Sequence, residues 1–278
     1  MHTIEASDIT KTVRDLFLSA CRMPGRDVLD AIDKAYEHET CLSAKEALRQ
    51  LNLNAQIAQE TSMPYCQDTG MAVVFLEIGQ NVYINGDLTA AVNEGVRQAY
   101  NDGYLRKSVL DPITRQNTGD NTPAVIHCDI VSGDKLTVTV APKGFGSENM
   151  SKMTMLKPSD GLEGIKQFVI DSVKAAGGSP CPPVVLGVGI GGTFEKCALM
   201  AKKQLLRDIG SVNPDPFLAE LESSLKDEIN AMGIGAMGFG GSSYCFAVHI
   251  DKYPTHIAGL PVAVNFQCHA SRHASAVL

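Results

Sequence analysis

The stretch "PPVVLGVGIGGTFEKCALMAKKQLLRDIG", residues 182–210, reads as a strand, then a glycine turn, then a helix. A Val-rich apolar run broken by close glycines, with apolar residues at helical spacing behind it, is how a strand that feeds a helix is written. This unit predicts an α/β fold class. The segments on either side supply the rest of a mixed sheet.

Upstream, "SDITKTVRDLFLSACRM" and "SAKEALRQLNLNAQIAQE" carry apolar residues at helical spacing behind Ser or Asp starts, so residues 1–62 read as a helical N-terminal portion. The texture then changes. "GMAVVFLEIG" and "QNVYING" read as strands, and "DLTAAVNEGVRQAYNDG" as a helix. "TPAVIHCDIV" and "DKLTVTVAPKG" read as strands joined by a hairpin turn at "VSGD". "GLEGIKQFVIDSVKAAGG" and "PDPFLAELESSLKDEINAMG" are amphipathic helices, and "SSYCFAVHID" and "LPVAVNFQC" are closing strands. With no internal repeat and no low-complexity linker, the expectation is one domain over residues 1–278, its α/β portion covering 63–278.

The chain has 278 residues, 44% of them hydrophobic, enough for one large core or two modest ones. A net charge of -7, with no tryptophan and 6% aromatic residues, leaves no basic or stacking surface for nucleic acid. No apolar run is long enough to span a bilayer, and the opening "MHTIEASDITKTVRDLF" lacks the apolar core of a secretory signal. A cytoplasmic setting follows as the expectation. There the eight cysteines, at 21, 41, 66, 128, 181, 197, 245 and 268, are thiols. None forms a C-x-x-C pair. Cys21, Cys41, Cys128, Cys197 and Cys245 lie on helix or strand patterns and read as core.

The glycines of "GVGIGG", residues 187–192, match G-x-G-x-x-G after a strand. The acid that should end a second strand some twenty residues on is represented only by Asp208, at the end of a Lys-rich helix. Three readings stand: a dinucleotide site, an anion held by helix amides, or tight strand–helix packing. Three cysteines keep unusual company. Cys66 lies in "YCQDTG" at the mouth of a strand, Cys181 between prolines in "SPCPP", and Cys268 after a strand in "NFQCHASRH". Loop thiolates far apart in sequence suit an iron–sulfur cluster, where three would leave one iron open. Zinc held by Cys268, His269 and His273 on a helix is the competing metal reading.

The motifs "CQDTG", "YLRKSV", "NTGDNTPA", "APKGFGSENMSKM", "CPPVVLGVGIGGTFEK" and "HIAGLPVAVNFQCHASRH" occur in this order along nearly the whole chain. In this the chain resembles the class I, iron–sulfur-dependent fumarate hydratases, above all the α subunit of the two-subunit type. The related L-tartrate dehydratase α subunit shares the first and fifth motifs. The "LRKSV" and "APKG…SENMS" versions are more similar to fumarase.

The resemblance implies that Cys66, Cys181 and Cys268 hold a [4Fe–4S] cluster with one iron not held by cysteine. It places Gln67, Asp68, Arg106, Gly144 and Gly146 at a small dicarboxylate substrate, and His256 beside the site. Asp68 and His256 are then the candidate catalytic groups, Asp68 orienting and His256 relaying a proton. Their plain alternatives are a turn cap for Asp68, a satisfied histidine for His256 and a solvated cation for Arg106. Phe145 departs from the family's usual glycine. The family's Thr base, further arginines and lysine are expected on a separate β chain, in an α2β2 or α-dimer assembly. Reversible hydration of fumarate to L-malate is the expected activity, with tartrate or mesaconate as alternative substrates. A non-catalytic iron–sulfur sensor or electron carrier is the alternative of another class.

Overall fold

The computed structural model describes residues 2–278 and has an α/β fold. Its elements in chain order are β1 (His2–Glu5), α1 (Ala6–Arg22), α2 (Arg26–His38), α3 (Leu42–Thr61), β2 (Met71–Gly79), β3 (Val82–Asn85), α4 (Leu88–Asp102), β4 (Val125–Val131), β5 (Leu136–Lys143), α5 (Phe145–Glu148), β6 (Lys152–Leu156), α6 (Gly161–Ala176), β7 (Val184–Gly191), α7 (Phe194–Gln204), α8 (Pro216–Ala231), β8 (Cys245–Tyr253), β9 (Leu260–Gln267) and β10 (Ala274–Val277). The described residues divide into two compact units: residues 2–25, 54–145 and 272–278, and residues 26–53 and 146–271.

In the first unit a four-stranded sheet runs β10-β5-β2-β4, with β2 parallel to β4 and antiparallel to β5. The hairpin expected at "VSGD" is therefore not formed: β2 lies between β4 and β5. The reason is burial. Residues 72–76 of β2 are all buried, so both faces want cover, whereas β4 alternates half-buried with exposed residues and suits an edge. The helix α1 buries Ile9, Val13, Phe17, Ala20 and Cys21, one face of a helical wheel, against α4 and the sheet. Asp87 caps α4 by accepting the Ala90 amide at 2.9 Å. Gly95 lets the two helices close up, since a Cβ there would stand 2.6 Å from the Thr10 carbonyl oxygen.

The second unit holds a sheet ordered β6-β9-β7-β8, with β7 parallel to β8 and antiparallel to β9. One face is covered by α6 and α8 through Ile165, Val169, Val173, Leu221, Leu225 and Ile229. On the other face α7 packs Cys197 and Ala201 against Ala263. The pair α2 and α3 forms its own cluster from Val28, Ile32, Ala44 and Leu48. Asp215 with Pro216 starts α8, the carboxylate accepting the Phe217 amide at 3.0 Å.

The "GVGIGG" glycines resolve here. Gly187 and Gly189 lie inside β7, where added Cβ atoms would stand 1.9 Å from the Ala201 and 2.2 Å from the Cys197 carbonyl oxygens of α7. Only Gly191 and Gly192 make the turn, at φ +86° and +71°. Asp208 follows α7 and ends no strand. Strand–helix packing therefore accounts for the motif.

Candidate functional site

In the first unit, three segments come to one end of the sheet. Met71 at the start of β2 pairs with Lys143 at the end of β5, and Ala274 of β10 pairs with Val140. That register brings together the turn at 66–70, residues 143–145 and Arg272. The Asp68 carboxylate accepts the Gly70 amide at 3.0 Å and the Phe145 amide at 2.9 Å. It is a turn cap, as the plain reading holds, and it also anchors the Gly144 loop. Because the Phe145 amide is committed to Asp68, it is not a donor for a substrate carboxylate, and the Phe145 side chain is 46% exposed. A Cβ on Gly144 would lie 3.2 Å from Asp68 Oδ2, a crowded position that favours glycine.

Arg272 is a buried cation whose Nη2 donates to the Asp68 carbonyl at 2.8 Å. Lys143 is also buried, with Nζ donating to the Gly144 carbonyl at 3.2 Å. Neither residue type in its local sequence announces burial, so sequence reasoning missed both cations. Gln67 and Arg106 are exposed. The Arg106 backbone is fixed by Thr69, whose Oγ1 donates to its carbonyl at 3.0 Å, while its guanidinium stays on the surface. Cys66 is half-buried in the same turn, and the Tyr65 amide before it donates to the Cys21 carbonyl at 2.8 Å.

In the second unit, β7 begins just after Cys181 and β9 ends just before Cys268, with Val185 paired to Gln267. Antiparallel pairing thus brings Cys181 and Cys268 to one sheet end. The His269 amide donates to the Cys181 carbonyl at 3.2 Å. Cys181 has φ +55°, and the next residue's carbonyl accepts the Met237 amide at 2.8 Å. The loop after Gly146 joins the same end through a polar network. Lys202 Nζ donates to Glu148 at 2.5 Å, while Asn265 Nδ2 lies 3.0 Å from both Glu148 and Ser151 Oγ. Gly146 itself is exposed, and a Cβ there would meet only the Ser179 carbonyl, at 3.9 Å.

His256 is elsewhere in its unit. It sits exposed on the β8–β9 connection, accepting the Ala258 amide at 3.2 Å. The eight residues of β9 separate it from Cys268, a span of about 26 Å at roughly 3.3 Å per residue. Within one chain, His256 and Cys268 are therefore at opposite ends of a strand. The helix expected for zinc at 268–273 is also absent, since these residues form an irregular link between β9 and β10. Among the described residues no group of three or more His, Cys, Asp or Glu side chains is arranged to hold a metal ion.

The remaining cysteines differ in setting. Cys21, Cys197 and Cys245 are buried, and burial pushes their thiols up to about 11, 11 and 12. Cys41 is half-buried, and Cys128, expected in the core, is exposed because β4 is a sheet edge.

Residues 10–277 match the family model described as fumarate hydratase (Fumerase). A putative L(+)-tartrate dehydratase subunit alpha of Methanocaldococcus jannaschii is 43% identical over 273 residues, 96% of each chain. The L(+)-tartrate dehydratase subunit alpha of Escherichia coli strain UTI89 is 34% identical over 255 residues, 90% of this chain and 84% of that protein. The Shigella boydii protein of that name shows the same identity and coverage.

Proposed function

Because this chain belongs to the fumarate hydratase family, a family of hydro-lyases, we propose that it is an α-type subunit that hydrates fumarate to L-malate reversibly. One observation within the first unit carries the reading. The exposed side chains of Gln67 and Arg106 are borne by two segments joined through Thr69 Oγ1 and the Arg106 carbonyl at 3.0 Å. A carboxamide and a planar guanidinium so presented suit a carboxylate, to which the guanidinium can donate two parallel hydrogen bonds. The "LRKSV" and "APKG…SENMS" versions of the motifs favour fumarate.

A [4Fe–4S] cluster is part of the proposal, with Cys66, Cys181 and Cys268 as its ligands. The donor chemistry fits. These three thiols are half-buried and lie outside the helices and strands, whereas Cys21, Cys197 and Cys245 are buried within them. When bound, the cluster supplies Lewis-acid chemistry toward a hydroxyl group.

Dehydration of L-malate removes a proton from one carbon and a hydroxyl from its neighbour; hydration reverses both. In this scheme Arg106 and Gln67 bind the carboxylates, and the guanidinium stabilises charge that builds on one of them as the C–H bond breaks. Asp68 holds the turn and the Gly144 loop in place through its two amide contacts. The C–H base and further cations belong to a β chain. His256, a strand's length from Cys268 in its own chain, takes a proton role only if a second copy delivers it, as an α dimer or α2β2 assembly would allow. A reducing cytoplasm is the setting that such thiolates need.

Tartrate is the second reading, favoured by the names of the relatives. The test is to assay the reconstituted chain, with and without its β partner, on fumarate, mesaconate and tartrate. A base contributes a factor of roughly 10² to 10⁴, so the chain alone should run at background and the pair should prefer fumarate. Full activity from the chain alone overturns the shared chemistry, and preference for tartrate overturns the substrate.

A further inference from the structure

The motif "NTGDNTPA", residues 117–124, has no part in the chemistry assigned so far, yet its Asn121 is 0% exposed. Its carboxamide oxygen accepts two backbone amides of the Arg106 loop, Ser108 at 2.7 Å and Val109 at 3.1 Å. Its Nδ2 donates to the Gly70 carbonyl at 3.2 Å, at the end of the turn that carries Cys66, Gln67 and Asp68. The hydroxyl of the buried Tyr100 stands on the same turn, 2.7 Å from the Thr69 and 2.9 Å from the Gly70 carbonyl. We propose that Asn121 is a positioning residue that sets the Arg106 loop against the 66–70 turn. The role rests on the reading of Gln67, Asp68 and Arg106 as substrate contacts.

The chemistry demands this side chain. The position needs an acceptor for two N–H groups and a donor for one carbonyl, buried away from water, and only a carboxamide offers both at this length. Aspartate has the shape but is an acceptor only when ionised, so it would set a carboxylate oxygen against the Gly70 carbonyl. Leucine would leave the Ser108 and Val109 amides without that acceptor and the Gly70 carbonyl with the Tyr100 hydroxyl alone. The backbone also selects Asn121, because φ +64° is a left-handed conformation that asparagine and glycine adopt most readily. The consequence is geometric. Gln67 and Arg106 are 39 positions apart in sequence, and a shift of about 1 Å between groups that grip one substrate costs roughly a hundredfold in rate.

Asn121→Gly keeps the left-handed backbone and removes only the carboxamide. In the full chain, amide exchange over residues 62–71 and 104–110 should both quicken by about tenfold or more, with α1 and α4 unchanged. Asn121→Asp should quicken exchange over 62–71 more than over 104–110, because its acceptors survive. With the β partner, Asn121→Gly should lower kcat/KM by about a hundredfold. Combined with Arg106→Lys it should add little, because both changes act on one clamp. Wild-type exchange over 62–71 in Asn121→Gly, or kinetic effects that multiply fully, overturns the proposal. If the wild-type pair turns over none of the substrates, the reading of the substrate contacts has failed. The exchange data then decide the Asn121 link on their own.

Discussion

The carbonyl oxygen of Cys181 receives the backbone N–H of His269 at 3.2 Å and faces the ring Nδ1 of the same residue at 3.1 Å. Two nitrogens of the residue after Cys268 thus grip the residue that bears the other thiol of this unit. The Met237 amide on the Pro182 carbonyl holds the turn from its other side. Two cysteines 87 positions apart are in this way held at one end of the same sheet.

If these thiols hold a cluster, their loss should show directly in metal content. Anaerobically reconstituted protein should bind about four irons with matching sulfide, the content of this cluster type. Cys66→Ser, Cys181→Ser and Cys268→Ser should each lose most of it. Cys128→Ser, at an exposed position on the edge strand β4, should keep it. Equal iron loss in that control would mean that the ligands are misassigned.

Glu39 offers a test of stability. Its carboxylate is 2% exposed and accepts the amides of Thr40 and Cys41 at 2.9 Å and of Ser242 and Ser243 at 3.0 Å. It thereby clamps the connection before α3 to the loop before β8. Burial pushes the carboxyl up, but the contacts with Cys41, Ser243, Ser242 and Thr40 outweigh it and leave the group below its usual 4.5. A lowered carboxyl stabilises the fold fully above the unfolded value and loses that stabilisation as pH falls through the folded one. Glu39→Ala should therefore cost roughly 2–4 kcal/mol near neutrality, where the carboxylate serves four amides. Urea titrations should show the gap to wild type narrowing as pH drops below about 4.5. A gap independent of pH would remove the charged clamp.

Gly189 tests the packing account of "GVGIGG". Its missing Cβ is replaced in space by the Cys197 carbonyl at 2.2 Å and the Ala201 amide at 2.9 Å, both backbone atoms of α7. Backbone cannot swing aside as a flexible side chain would. Gly189→Ala should force β7 and α7 apart and cost about 3 kcal/mol or more, the upper range for overpacking. Thermal melting reads this directly. A midpoint equal to wild type would return the motif to a ligand-binding role.

The amino-acid sequence by itself determined what depends on near neighbours. The spacing of Ile9, Val13 and Phe17 writes α1, Asp87 and the Asp215–Pro216 pair open α4 and α8, and the apolar runs at 71–79, 184–191 and 260–267 are strands. The odd settings of Cys66, Cys181 and Cys268 were equally legible, because turn residues around a thiol are a local pattern. Tertiary structure decided what depends on distant partners. It placed β2 between β4 and β5, added the short strands β1, β6 and β10, and buried Arg272 beneath Asp68. It also put His256 and Cys268 at opposite ends of β9, although they are only twelve positions apart. Strand order and close backbone approach are set by which surfaces bury best across the whole unit. A four-residue strand such as β10 carries too little local preference to declare itself before its neighbour β5 is in place.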